Sequence, residues 1–224
     1  MNFKGGDEGL NATVYAELRK RIVTGHISPA HELSTRGLAG ELGVSQTPVR
    51  DALSRLSAEG AVSIRSKRRV RVPEMTSERF DDLLRCRLLL EPEAAALALP
   101  LLKPADMERL REMEAKLSAA IAQGDAAGYM QSNYDFHFTL YRVQPQKTLT
   151  QLIETLWLQF GPYMRVVFGR VSGAKLNDSH QHALDAIKAG DVAALRKAIA
   201  DDIADGMGLL GRTGLTANDS APRP

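Results

Sequence analysis

Apolar positions in this chain recur at helical spacing along most of its length and switch to strand-like alternation in one place. Val14, Leu18 and Ile22 make one stripe and predict a helix over residues 11–24, closed by Gly25. Leu38, Ala39 and Leu42 predict a short helix over 36–42, and Gly43 supplies the left-handed residue that such a helix end commonly needs. Val49, Ala52, Leu53 and Leu56 predict a second helix at a tight corner from the first. Ser45 and Thr47 are both good N-caps for it, and Pro48 fits a first turn. Past Gly60 the period changes: residues 61–65 and 70–72 read as two short strands. Residues 73–76 are the expected hinge. Helical patterns alone follow, over 77–99 (with Pro92 expected to kink it), 105–123, 125–143, 147–169 (bent at Gly161-Pro162), 177–189 and 191–210. Six helices with short connections predict an antiparallel bundle. In the 105–123 helix the expected core stripe is Leu110, Met113, Leu117 and Ile121. The fold class is therefore mainly α, a winged helix-turn-helix with a small β-wing followed by an all-α bundle.

The polar positions divide just as sharply. Thr47, Arg50 and Ser54 share the face of the second helix opposite its apolar stripe, with Gln46 just before them. Short donors and acceptors with one arginine suit a helix lying in the major groove, although an ordinary solvated face has the same look. The hairpin that follows carries Arg65, Lys67, Arg68 and Arg69, with Arg71 close by. A basic hairpin beside a helix pair is what a DNA-gripping wing requires.

In the bundle, polar residues interrupt apolar stripes on three helices. Asn133 and His137, four apart, lie with Tyr129, Phe136 and Leu140; His180 lies with Leu184 and Ile187; Asp202 lies with Leu195 and Ile199. Buried imidazoles and carboxylates need partners or a metal. Together these four predict a polar cavity, as a divalent transition-metal site or as a metal-free hydrogen-bonding network. His182 falls on another face and reads as surface.

Composition adds the division into two parts. The chain has 224 residues, more than one winged helix needs, and is 44% hydrophobic and 25% charged. Residues 1–76 hold 12 Lys+Arg against 8 Asp+Glu, and the remainder holds 17 against 19. A basic module joined to a mildly acidic one fits a DNA reader fused to something else. Cys86 is alone, so no intrachain disulfide forms. The start MNFKGGDEG has no apolar core, and Glu91 and Glu93 break the longest apolar run. No membrane span is expected, and the cytoplasm is the expected location. Residues 1–10 and 216–224 are expected to be flexible tails flanking domains over 11–75 and 77–211.

The run LAGELGVSQTPVRDALSRLSAEGAVSIRSKRRVRV resembles the DNA-binding domain of the GntR family of bacterial transcription regulators. That resemblance implies double-stranded operator DNA as partner, contacted by Arg36, Ser45, Gln46, Thr47, Arg50 and, on the wing, Arg69. Gln46 stands where many members have arginine, and Arg69 where many have a wing-tip glycine.

The later part resembles the family's FCD subgroup through Arg87-x-x-x-Glu91, Asn133-x-x-Phe136-His137, His180 and Ala189-Gly190-Asp191. The subgroup is helical and homodimeric, and many members hold zinc, nickel or a similar ion near a small carboxylate effector. The resemblance implies the ligand set Asn133, His137, His180 and Asp202 for Zn, Ni or Mn, with Asp202 in place of the usual third histidine. It also implies Arg87 as an effector-binding residue; a salt bridge to Glu91 on the same helix is the alternative. The expected function is an effector-controlled transcription regulator and not an enzyme. A metal-dependent hydrolytic bundle fused to a DNA reader, and a constitutive DNA-binding protein, are the competing classes.

Overall fold

The computed structural model describes residues 7–29, 32–66, 69–169 and 178–212. Along the chain run α1 (Asp7–Val23), α2 (Thr35–Leu42), α3 (Gln46–Ala58), β1 (Ser63–Ser66), β2 (Arg69–Arg71), α4 (Ser77–Ala98), α5 (Pro104–Gln123), α6 (Ala126–Tyr141), α7 (Lys147–Phe168), α8 (Asp178–Ala189) and α9 (Val192–Arg212). Backbone contacts divide them into two units. The first runs to Glu74 and includes Trp157–Pro162; the second comprises Met75–Leu156 and Tyr163–Leu215.

In the first unit α1 packs on α3. Val14, Leu18 and Ile22 are fully buried, as are Val49 and Leu56, with Ala52 and Leu53 nearly so. The helix-turn-helix corner follows its local chemistry. Ser34 caps α2 by accepting from the Gly37 N–H at 2.9 Å. Gly43, at φ 67°, ends it in the left-handed region, where its N–H reaches back to the α2 carbonyls. Of the two candidate caps for α3, Ser45 holds the N-cap position, and it makes no side-chain cap hydrogen bond. Tyr15 closes the other side of α3. Its hydroxyl donates to Glu59 at 2.5 Å, and its ring lies 3.8 Å beneath the Arg55 guanidinium.

The wing is an antiparallel pair with Ile64 opposite Val70 and an irregularity between Ile64 and Ser66. Leu33 adds a bridge that local alternation does not announce, exchanging both backbone hydrogen bonds with Val70 at 2.7 and 2.9 Å. Several boundaries differ from expectation by a few residues. The first helix begins at Asp7, inside the expected tail, because the helical stretch continues back through Glu8 and Gly9. The strands are shifted by two residues or fewer. Lys67 and Arg68 of the wing, and the expected tail over 216–224, lie outside the described residues.

The second unit is the helical bundle, in which α5 packs on α6, α4 on α9 and α8 on α9, with further contacts from α4 to α6 and α5 to α8. Pro104 starts α5, and the Asp106 carboxylate accepts from the Lys103 N–H at 3.0 Å. Asp125 caps α6, accepting from the Ala127 and Gly128 N–H groups at 3.1 and 3.0 Å. Pro92 is buried within α4, which runs unbroken from Ser77 to Ala98. The expected α5 stripe needs two corrections: Ala120, not Ile121, is its last buried residue, and Glu114, not Met113, takes the buried position between Leu110 and Leu117. The reason for the second is a partner on α8, described below.

Candidate functional sites

On the first unit, Arg36 on α2 and Ser45, Gln46, Thr47 and Arg50 at the start of α3 are all exposed. Their backbone positions are set by the buried stripe on the far side of α3. The helix thus presents its N-terminal end, the end that enters the groove in helix-turn-helix proteins. Arg69, exposed at the start of β2, is 3.5 Å from the Glu32 carboxylate, a solvated ion pair that leaves its guanidinium accessible.

In the second unit three of the four proposed ligands converge. His137 on α6, His180 on α8 and Asp202 on α9 bring their donor atoms within 4.8 Å of one another. His137 Nε2 is 3.3 Å from His180 Nε2 and 3.1 Å from Asp202 Oδ2, and His180 Nε2 is 3.6 Å from Asp202 Oδ1. The imidazoles are buried completely or nearly so. His180 is stacked on Phe136 with ring centroids 4.1 Å apart.

The outer contacts decide where the protons sit. Tyr141 donates its hydroxyl hydrogen to Glu91 at 3.0 Å, so its oxygen is left to accept from His137 Nδ1 at 2.9 Å. Glu114 accepts from His180 Nδ1 at 2.9 Å. Both Nδ1 atoms are donors, and each neutral imidazole therefore turns a bare Nε2 toward the other and toward the Asp202 carboxylate. Three acceptors facing one another require a cation between them. A proton on His180 is one solution, and a divalent metal is the other. The donor separations suit a metal, since bonds of about 2.0–2.1 Å in a tetrahedral site place ligand atoms roughly 3.3 Å apart.

The electrostatics agree. Burial alone would raise the Asp202 carboxyl, but His180, His137 and Arg87 outweigh it and hold it at about 2. Burial alone would lower His180, yet Asp202 and Glu114 raise it above its ordinary value. Desolvation and the Glu91 charge push the Tyr141 phenol well up, which keeps it protonated.

Asn133, buried one helical turn before His137, lines a cavity beside this cluster with Arg87, Tyr129, Met164, Asp202 and Gly206. The cavity is small, about 20 Å³, which is room for roughly one water molecule. Arg87 is buried there and also pairs with Glu91, Nε to Oε1 at 2.5 Å and Nη2 to Oε2 at 3.3 Å. The salt bridge posed as the alternative for this arginine is therefore formed, by a side chain that also lines the cavity. His182 is exposed, as expected. Sequence reasoning missed Glu114 and Tyr141. A signal existed for the first: a carboxylate on the apolar stripe of α5, the same kind that singled out Asp202.

Known proteins account for both units. The profile of the bacterial regulatory proteins of the gntR family matches residues 10–72, and that of the FCD domain matches residues 82–205. The HTH-type transcriptional regulator McbR of Escherichia coli (strain K12) is 31% identical over 204 residues, covering 90% of this chain and 92% of that protein. The solved structure of E. coli McbR/YncC superposes with a TM-score of 0.84, over 92% of this chain and 99% of the other. The gluconate operon transcriptional repressor of Bacillus subtilis (strain 168) is 28% identical over 207 residues, covering 84% and 81%. These relatives are named as transcription regulators, and none is named as an enzyme. The chain belongs to the GntR family of bacterial transcription regulators, as a member that joins the family's helix-turn-helix domain to an FCD domain.

Proposed function

We propose that this regulator binds a palindromic operator as a homodimer and that a small organic acid in the second unit controls the binding. Arg36, Ser45, Gln46, Thr47 and Arg50 carry the groove contacts, and Arg69 adds a backbone or minor-groove contact from the wing. The protein acts in the cytoplasm, where the operator is; among the described residues no helix is long and apolar enough to cross a membrane.

One observation carries the effector half: three acceptors on three helices converge beside a cavity that also holds a buried arginine. His137, His180 and Asp202 hold a divalent ion (Zn, Ni or Mn), and the amide oxygen of Asn133 is the fourth donor. Such an ion, when bound, supplies a Lewis-acidic centre for an effector's oxygens. Arg87 offers a planar fork to a carboxylate. The Bacillus relative is named for an operon of a sugar acid, a ligand of the same class.

A thermal-shift screen of small organic acids, with and without Zn²⁺ or Ni²⁺, tests this. A ligand that binds the folded state raises the melting temperature. The expected result is a metal-dependent rise for at least one hydroxy or dicarboxylic acid, which also alters operator affinity. Stabilisation by acids to the same degree in EDTA would leave a direct hydrogen-bonding pocket, and no stabilisation by any acid would remove the carboxylate reading.

A further inference from the structure

The contacts that start at the cavity arginine do not end at Glu91. Glu91 is fully buried on α4 and accepts from Arg87 through both oxygens. Its Oε2 also accepts the Tyr141 hydroxyl from α6 at 3.0 Å. The Tyr141 oxygen in turn accepts from His137 Nδ1 at 2.9 Å. The path is therefore Arg87, Glu91, Tyr141, His137, and it ends at an Nε2 aimed at Asp202 and His180. All four side chains are buried. His180 has no such path among the bonds described, since its Nδ1 is held directly by the Glu114 carboxylate of α5.

From this we infer that Tyr141 is the positioning residue for His137, and that Glu91, shared between Arg87 and Tyr141, couples occupancy of the cavity arginine to the cation affinity of the cluster. The coupling rests on the cation reading given above. Its physical basis is polarisation along a hydrogen-bond chain at low dielectric. While Arg87 pairs with Glu91, the carboxylate's charge is compensated and it pulls only moderately on the Tyr141 hydrogen. An anion that draws the guanidinium away uncovers that charge. Glu91 then pulls harder on the Tyr141 hydrogen, the phenolic oxygen pulls harder on the His137 Nδ1 hydrogen, and Nε2 becomes a better donor. Outer partners of ligating imidazoles tune metal affinity in this way. Linkage then requires the reciprocal effect: a cation on the cluster tightens anion binding at Arg87.

The test is a double-mutant cycle on Zn²⁺ affinity, read on the full chain by competition with a chromophoric chelator. The proteins are the unmodified chain, Tyr141→Phe, Arg87→Lys and the pair together, with metal-free melting curves to establish folding. Tyr141→Phe is expected to weaken Zn²⁺ binding about ten- to a hundredfold. Arg87→Lys replaces a two-point pairing with a point charge. It is expected to shift Zn²⁺ affinity on its own and to have no effect once combined with Tyr141→Phe. Glu91→Gln, which keeps an acceptor for Tyr141 but removes the charge, is the second probe and is expected to weaken Zn²⁺ binding even if Tyr141→Phe folds poorly. Strictly additive effects in the cycle, or unchanged affinity in Tyr141→Phe or Glu91→Gln, overturn the coupling while leaving the cation site standing. Failure of the unmodified chain to take up Zn²⁺ overturns both.

Discussion

Gly206 lies one helical turn beyond Asp202 on α9, and the two residues line the same cavity. A Cβ built at Gly206 has no heavy atom within 4 Å, although the residue is buried. The open space in front of it is therefore the cavity itself, and the small side chain keeps that space clear next to a proposed ligand.

Gly206→Ala is accordingly expected to raise the melting temperature, because alanine favours a helix interior by about 1 kcal/mol over glycine and nothing resists the added methyl. Gly206→Leu overfills the space and is expected to lower the melting temperature and to lose its response to the bulkier organic acids first. Melting curves, together with acid titrations of operator binding, separate the two effects. Unchanged acid selectivity in Gly206→Leu would place the ligand elsewhere.

His137→Ala removes one of the three converging acceptors. Metal content measured by elemental analysis is expected to fall to background and the effector response to be blunted. Operator binding without effector is expected to persist, since the recognition surface belongs to the first unit. Full metal occupancy in this variant would rule out His137 as a ligand.

Acidity acts on the cluster with opposite signs in the two states. In the metal-free protein His180 titrates above its ordinary value because Asp202 and Glu114 overcome its burial. The stability this contributes is complete below about pH 6.5, the unfolded value, and is lost as the pH rises through the folded one. Asp202, held at about 2, contributes stability that is present above its ordinary 3.8 and is lost as the pH falls toward 2. A metal must displace the His180 proton, so Zn²⁺ affinity should increase with pH over the range where the apo contribution declines. Melting temperatures in EDTA and in excess Zn²⁺ should therefore diverge as the pH is raised through neutrality. A constant gap would show that no proton is exchanged for the ion.

Arg50 is exposed on the α3 face opposite Val49 and Leu53. Arg50→Ala is expected to weaken specific operator binding by about 1–3 kcal/mol if the side chain reads a guanine, with no change in melting temperature. Equal affinity for operator in mutant and native protein would exclude Arg50 from the contacts. Arg69→Ala, acting on the backbone, should instead reduce affinity across sequences and lower the salt dependence.

The sequence by itself determined the helical periods, the Gly43 corner, the helix that follows it and the basic hairpin, because each depends on residues only a few positions apart. It also showed that His137, His180 and Asp202 sit on faces that must be buried, since an i, i+4 stripe assigns a side chain to one side of its own helix. That they share one polar cavity was an expectation; only the structure shows three separate helices bringing their donor atoms within 4.8 Å of one another. Nor could the sequence show Leu33 bridging Val70 across the wing, or Glu114 displacing Met113 from the α5 stripe to meet His180 on α8. The Tyr141 link from Glu91 to His137 is of the same kind: its partners are 50 residues apart, on α4 and α6. Periodicity fixes the direction of a side chain about its own helix axis. Which neighbour it meets depends on the rotation and offset of one helix against another, and only packing of the whole bundle sets those.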